Sequence, residues 1–384
     1  MIEGLRPQWI DSASGIADLA DRCCAAGQFA LDTEADSLHS YFHKVCLIQV
    51  TVGDLNAVVD PLALEPVDLG PLFDVCRRPD VKVLMHGADY DVRVLDRDYG
   101  AQIRGLVDTQ IMAQILGEPR TGLAALLEGD FGVVLDKKHQ RADWGRRPLS
   151  ESMLAYAAAD TVFLARLAAK LQRRLEEMGR WTWAEEEFAK LEGVRHVFVE
   201  PDPYAFERVK GVGNLRGRSR DIAFSLFQWR DSEAQRRNVP PFKVFGNRSL
   251  IVLATDPPTD GKALAKVEGM GPRFVARSGR KVIAVLERPQ SSPDRRRSLR
   301  RPIVEPEVKR RMKKLLEKRD LIGNELGIPG GFLCPRAVVV EVAAAKGPLS
   351  EPEALSNLGL GGWRLGVLGE AFLEELGQEN ESQL

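Results

Sequence analysis

The stretch Gln28-Phe29-Ala30-Leu31-Asp32-Thr33-Glu34 decides the fold class. It reads as a strand, and in a strand side chains two apart share a face. Asp32 and Glu34 therefore stand side by side. Adjacent carboxylates repel, and they settle only with a cation or a shared proton between them. Alone, an acid-x-acid pair is weak evidence of a site, because exposed strands carry such pairs often. Its surroundings give it weight. Further strands are expected at 45–52, 55–60 and 81–86, with turn chemistry at Val52-Gly53-Asp54. Helical periodicity fills 69–76, 90–99, 109–116 and one long helix from about 150 to 177, with Ser150 as its N-cap. Strands first, then alternation with helices, specify a mixed α/β domain.

Two more acids follow at telling places. In His86-Gly87-Ala88-Asp89-Tyr90-Asp91 a strand ends and a helix begins. Asp91 thus sits in a first helical turn at the end of a strand, a usual place for active residues in such folds. Taken alone, Asp89 could cap that helix and Asp91 could merely complement its dipole. In Tyr156-Ala157-Ala158-Ala159-Asp160 the tyrosine and the aspartate are four apart and share a helix face. The alanines between them allow close packing. Asp160 lies in an otherwise apolar helix, where a lone carboxylate is costly and needs a partner. A metal would supply one.

At 384 residues the chain is too long for one typical core, and two or three domains are expected. A 44% hydrophobic content excludes wholesale disorder. Apolar runs fall short of the ~20 residues of a membrane span, and Met1 to Ile10 lacks the apolar stretch of a signal peptide. A cytoplasmic protein with no membrane contact and no obligatory protein partner is expected. The five cysteines (Cys23, Cys24, Cys46, Cys76, Cys334) are odd in number and form no C-x-x-C pair, which argues against a disulfide scaffold or a thiolate zinc site. His39, His43, His86 and His139 show no recognised metal-binding spacing either.

The net charge of −1 conceals a strong asymmetry. Residues 1–200 carry 22 Lys+Arg against 32 Asp+Glu, residues 201–304 carry 22 against 10, and residues 305–384 carry 10 against 13. An acidic first half suits cations, and a basic middle with a net charge of +12 suits a polyanion such as nucleic acid. After about residue 200 the pattern turns to short helices punctuated by Pro and Gly, and it repeats. W-R-D-S-E-A-Q-R-R-N-V-P-P-F at 229–242 answers K-R-D-L-I-G-N-E-L-G-I-P-G-G at 318–331. Arg230-Asp231 aligns with Arg319-Asp320, Pro240 with Pro329 and Ala254 with Ala343, all at an offset of 89. A sustained offset argues for a duplicated helical domain. The expected division is a first domain over 1–200, a helical domain over 201–288, an exposed Pro/Arg-rich linker over 289–304, and a second, divergent copy over 305–384.

Together these elements resemble the DEDD exonucleases, in their tyrosine-bearing branch, and within that branch the ribonuclease D family. The resemblance rests on F-A-L-D-T-E at 29–34, V-L-M-H-G-A-D-Y-D-V-R-V-L at 83–95, D-T-Q-I-M-A at 108–113, and L-D-K-K-H-Q-R-A-D-W-G-R-R-P-L-S through Y-A-A-A-D at 135–160. The duplicated unit resembles the HRDC domain, closely in its first copy. The resemblance implies an RNase H-like α/β domain followed by two small all-α HRDC-like domains. It also implies 3′→5′ removal of nucleotides from RNA by two divalent ions, Mg²⁺ or Mn²⁺, to give nucleoside 5′-monophosphates. Asp32 would bridge both ions, Glu34 and Asp160 would complete the site of the attacking water, Asp91 would hold the second ion, and Tyr156 would orient the water. The implied partner is RNA with a free 3′ end, such as transfer RNA precursors. The family often carries an aromatic residue after its second acid, where this chain has Ala35. Tyr41 and Lys44 are candidates to replace it by stacking and phosphate contact. His86, Lys137, Lys138, Arg141 and Trp144 are further candidate substrate contacts, with a structural role as the alternative for His86. The acids do not by themselves separate RNA from DNA, so a DNA exonuclease is the competing expectation. An inactive nucleic-acid-binding chain is expected to have lost one of the acids, and all four are present.

Overall fold

The computed structural model describes residues 5–198, 200–294, 305–345 and 351–381. Strands β1 (Gln8–Ile10), β2 (Gln28–Ala35), β3 (Val45–Val52), β4 (Leu55–Val59), β5 (Lys82–Met85) and β6 (Leu106–Asp108) form one mixed sheet in the order β1-β4-β3-β2-β5-β6. β2, β5 and β6 run parallel; β3 is antiparallel to β4, which is parallel to β1. Every residue of β3 is buried, as a central strand covered on both faces requires. The flanking helices are α1 (Ala13–Ala26), α2 (Gly70–Cys76), α3 (Asp89–Tyr99), α4 (Thr109–Leu116), α5 (Leu123–Phe131), α6 (Glu151–Val162), α7 (Leu164–Glu177) and α8 (Trp181–Glu192).

Four strands and the helices at 70–76, 89–99 and 109–116 stand where the sequence places them. The edge strands β1 and β6 are new; three residues are too few to show an alternating pattern. Helices α1, α5 and α8 are also new, although α1 carries Ile16, Leu19, Ala20 and Cys23 at helical spacing on its buried face. The long helix expected over 150–177 is two helices, broken at Phe163. Thr161 Oγ1 donates to Ala158 O at 3.2 Å, a back-bond that bends helices. The stretch 151–177 does have the length and apolarity of a membrane span, against the expectation. Leu164, Leu167, Leu171 and Leu175 are nevertheless buried in the core with α4 and α8 residues, as in a core helix.

Among the described residues the second half holds helices and no strand: α9 (Gly217–Arg236), α10 (Pro241–Val244), α11 (Asn247–Thr255), α12 (Gly261–Leu264) and α13 (Pro272–Glu287), then α14 (Pro306–Leu326), α15 (Gly330–Leu333), α16 (Arg336–Ala344), α17 (Pro352–Asn357) and α18 (Trp363–Glu381). α9 and α14, at 20 and 21 residues, are longer than the expected short helices. The offset of 89 carries into the structure, since α15 and α16 repeat α10 and α11 residue for residue. An internal hydrogen bond repeats with it: Arg230 Nη1 donates to Phe245 O at 3.3 Å, and Arg319 Nη1 to Cys334 O at 3.1 Å. The linker expected over 289–304 is pinned at its start, where Ser225 Oγ and Asp221 Oδ1 accept from the backbone N–H of Gln290 and Ser292. Residues 295–304 lie outside the described residues.

The chain forms two compact units. One holds α9–α13 together with residues 35–44. The other holds the sheet, α1–α8 and also α14–α18, which dock on α4 and α8. Trp183 stacks on Trp363 at 4.7 Å with rings 10° apart. Glu187 accepts from Trp363 Nε1 at 3.0 Å and pairs with Arg364. Arg180 Nη1 donates to Ile115 O and Leu326 O. Gly117, at φ 79°, lies so close to Gly327 that a Cβ would come within 2.4 Å of its carbonyl oxygen. Trp363→Ala is expected to lower stability by about 3 kcal/mol, measured by chemical denaturation. Adding Trp183→Ala should then cost much less than it does alone. Full additivity would show that the two rings do not act together.

Candidate active site

β2 runs past the end of β5. Gln28, Phe29 and Ala30 pair with Lys82, Val83 and Leu84, so Asp32 and Glu34 stand beyond the paired rungs, where β5 gives way to α3. The turn there is built by Asp108. Its buried carboxylate accepts from the backbone N–H of Gly87 and Ala88 at 2.9 and 2.8 Å, and from Gln110 and Ile111 at 2.8 and 3.2 Å. One acid thus fixes the turn that leads to Asp91 and caps α4. Gly87 has φ 70°, and a Cβ on it would meet the Gln110 side chain at 2.9 Å, so only glycine fits. Asp91 is buried in the first turn of α3, and the Thr33 hydroxyl donates to its Oδ1.

α6 brings the last two residues. Ala157 and Ala158 are buried against Cys46, Leu47 and Val58 of β3 and β4, which lets the helix lie close to the sheet. Tyr156 and Asp160, one turn apart, line a pocket with Asp136, Lys138 and His139. The ring of Tyr156 is held on two sides. Trp144 stacks on it at 5.9 Å, and His139 meets it edge-on at 5.8 Å. Trp144 is seated by Arg147, which bridges Asp60 through two nitrogens at 2.8 and 2.6 Å and donates to Trp144 O and Cys46 O.

The four acids sense one another. Burial, then the charges of Asp91, Asp160 and Glu34, hold Asp32 well above the ordinary carboxylate range. Burial, then Asp160 and Asp91, push Glu34 up to about 8. Burial raises Asp160 to about 7, and raises Asp91 to about 6 against the opposing pull of the Thr33 hydrogen bond. Burial and Asp160 also raise the Tyr156 hydroxyl, which stays protonated. Among the described residues no ion pair joins a Lys or Arg to these acids. Nor is any group of three or more His, Cys, Asp or Glu drawn together at ligating distance. An all-oxygen, acceptor-only set with no competing cation fits a hard divalent ion. His139 Nε2, beside Tyr156, is buried with no hydrogen-bond partner.

The other expected contacts divide. Lys138 lines the pocket; Lys137 and Arg141 are exposed on the same loop but outside that lining. Trp144 is corrected from a substrate contact to a support, because it is only 1% exposed beneath Tyr156. His86 takes its structural alternative: its Nδ1 lies 2.9 Å from Thr109 Oγ1, and burial keeps the ring neutral. Tyr41 and Lys44 fall in the other unit, and the Tyr41 hydroxyl is engaged by Asp231. His139, Arg147 and Asp108 are what the residue-level reading missed as individual contributors. Only Asp108 had a local signal, as an acid standing just before a helix.

Residues 7–176 match the family model described as a 3′-5′ exonuclease, and residues 219–286 match the HRDC domain. A mixed sheet with flanking helices that matches a 3′-5′ exonuclease model, followed by such a helical domain, defines a 3′-5′ exonuclease. The chain is 32% identical over 290 residues to the ribonuclease D of Acidiphilium cryptum (strain JF-5), covering 75% of this chain and 73% of that one. It is 30% identical over 376 residues to that of Pseudomonas paraeruginosa (strain DSM 24068 / PA7), covering 96% and 97%. Its structure is similar to that of Escherichia coli RNase D, described as an exoribonuclease involved in structured RNA processing, with a TM-score of 0.65, 25% identity, and 97% and 99% of the chains covered. The chain belongs to the ribonuclease D family.

The raised carboxyls have a consequence for stability. Between the ordinary carboxylate range and about pH 8 the folded chain holds protons that the unfolded chain gives up. Stability in chelator should therefore fall as pH rises from about 5 to about 8. Asp160→Asn should flatten that fall, and added Mg²⁺ should raise the melting temperature more at the upper end, where it displaces fewer protons. Calorimetry at the two pH values checks this; a melting temperature that rises with pH, equally in both proteins, would contradict it.

Proposed function

We propose that the chain removes nucleotides one at a time from the 3′ end of RNA, releasing nucleoside 5′-monophosphates. Two divalent ions, Mg²⁺ or Mn²⁺, would be held by Asp32, Glu34, Asp91 and Asp160. The observation that carries this reading is the convergence of these four acids, none with a Lys or Arg partner among the described residues, beside a fixed tyrosine. When bound, the ions would compensate the acids and stabilise charge on the attacking and departing oxygens. Tyr156, held protonated and clamped between Trp144 and His139, orients the attacking water as a hydrogen-bond partner and not as a base. The water adds at phosphorus and the 3′ oxygen of the preceding nucleotide leaves. Lys138, which lines the pocket, would meet a phosphate.

RNA is favoured over DNA by the relatives' own description, and trimming of transfer RNA 3′ ends is the natural setting of such an activity. The α9–α13 unit, from the basic segment, would carry the strand, whereas the acidic α14–α18 set is spent on docking.

Asp32→Asn and Asp160→Asn should each cut hydrolysis of a single-stranded RNA oligomer by a factor of about 10³ or more, and Tyr156→Phe by about 10²–10³. Chelator should abolish the activity in wild type. Equal hydrolysis of matched RNA and DNA oligomers would refute the RNA assignment. Because removing α14–α18 would strip Trp183 of its cover, the division of labour is tested by charge substitution. Replacing Arg277, Arg280 and Lys281 with Ser should reduce the salt dependence of RNA binding, by about one log–log unit per lost phosphate contact. Replacing Lys309, Arg310 and Lys313 should leave it nearly unchanged. Equal effects would refute the division.

A further inference from the structure

Within the unit formed by α9–α13 and residues 35–44, one non-glycine residue departs from ordinary backbone geometry. Asn238, just after α9, has φ 46°, and it is the only positive-φ non-glycine among the described residues. Its side chain does specific work there. Asn238 Oδ1 accepts from the backbone N–H of Tyr41 and of Phe42, at 3.1 and 3.0 Å. The Tyr41 hydroxyl donates to Asp231, its ring packs against the core of this unit, and Lys243 Nζ lies 2.9 Å from His39 Nδ1. Residues 36–44, which leave β2 directly after Ala35, are thereby pinned to the α9–α10 corner.

The pinning has a visible result. Phe42 stands edge-on to Tyr41 at 5.1 Å and is 59% exposed, and Phe242 on α10 is 56% exposed. The repeat shows what the same corner looks like without this equipment. At the offset of 89, Asn238 corresponds to Gly327, Phe242 to Gly331 and Lys243 to Phe332. Gly327 has φ 72°, which glycine adopts freely. The first copy thus puts a strained asparagine where glycine would serve, and an exposed phenylalanine where the second copy has no side chain. Exposed aromatic rings beside cations are the chemistry of single-strand binding, because every base has a face to stack and every linkage a phosphate. Lys44 and Lys243 are exposed in this corner, and Lys243 belongs to the segment 201–304 of net charge +12.

We propose that residues 36–44 and the α9–α10 corner form a stacking platform for a single-stranded polynucleotide, with Phe42 and Phe242 as its base-facing rings and Asn238 as the clamp that presents Phe42. The platform deepens the reading of the chain as a nuclease acting on single strands and rests on it for the identity of the ligand. It reads bases by their faces, so it is indifferent to sequence and to the sugar.

Binding in chelator tests the platform without cleavage. Anisotropy of a labelled single-stranded RNA of about twelve nucleotides, with a 2-aminopurine reporter, is measured for wild type, Phe42→Ala, Phe242→Ala, Phe42→Tyr and Asn238→Gly. Each alanine variant should weaken binding about 5- to 100-fold and reduce the aminopurine quench. Phe42→Tyr should retain both. Asn238→Gly, which suits the backbone but removes the clamp, should weaken binding with no fall in melting temperature. Wild type that fails to bind, or folded alanine variants that bind as wild type does, would overturn the platform. So would alanine variants that alter sedimentation but not RNA binding, which would mark the patch as a self-association surface. Binding that follows this pattern in a protein that cleaves nothing with Mg²⁺ or Mn²⁺ would instead remove the nuclease reading and leave the platform standing.

Discussion

Four carboxylates raised by burial, two of them also by the charges of the others, with no side-chain cation paired to them among the described residues, are the constraint on which the rest of the structure depends. Each would be more stable paired with a Lys or Arg, or replaced by an apolar residue. Keeping all four unpaired costs stability, and the fold must offset that cost elsewhere. The offset lies in the sheet. β3 is wholly buried, and the core on one face gathers Ile16, Leu19, Phe29, Leu31, Leu72 and Val92 from several elements. A site that opposes folding needs such a base beneath it, as functional sites commonly do.

The supports around the acids follow a common rule: they satisfy charge outside the cluster and leave the cluster itself open. Asp108 is a buried acid, yet its partners are four backbone N–H groups and not a basic side chain. Arg147 is basic and near the pocket loop, yet it is saturated by Asp60 and three carbonyls, so it has little left to offer the site. The Thr51 and Thr161 hydroxyls pair with each other at 2.8 Å behind α6. Thr33 is the exception. It touches Asp91 directly, and that contact opposes the rise caused by burial.

How much of this was legible in the sequence follows from range. Asp32 and Glu34 could be placed on one face because a strand alternates, and Tyr156 and Asp160 because a helix returns every four residues; both rules act within a few positions. The chain order of the acids then made them a set. Trp144 was misassigned because its role depends on Arg147 reaching Asp60, 87 residues away, and no local pattern records that reach. The hydrogen bond of Tyr41 to Asp231 was hidden for the same reason, since the two are 190 residues apart. The break at Phe163 was hidden because the apolar pattern runs through it. The offset of 89, by contrast, was fully visible, because it is a property of the sequence compared with itself.

That repeat also explains how one small helical design came to serve two ends. The inner skeleton of both copies is kept, down to the arginine that donates to the carbonyl fifteen residues on. The corner after the first long helix has diverged. In the second copy it presents Leu326 O to Arg180 and the bare backbone of Gly327 to Gly117, so close an approach that neither glycine could carry a side chain there without displacement or strain. In the first copy the same corner carries Asn238 and grips residues 41 and 42 through a side chain. Backbone-to-backbone contact buries the corner and fixes it; side-chain contact holds a loop and leaves rings exposed. The difference between a brace and the proposed binding surface can therefore rest on whether one left-handed position is glycine or asparagine, and the two copies differ in net charge in the same sense, +8 over 201–288 against −3 over 305–384.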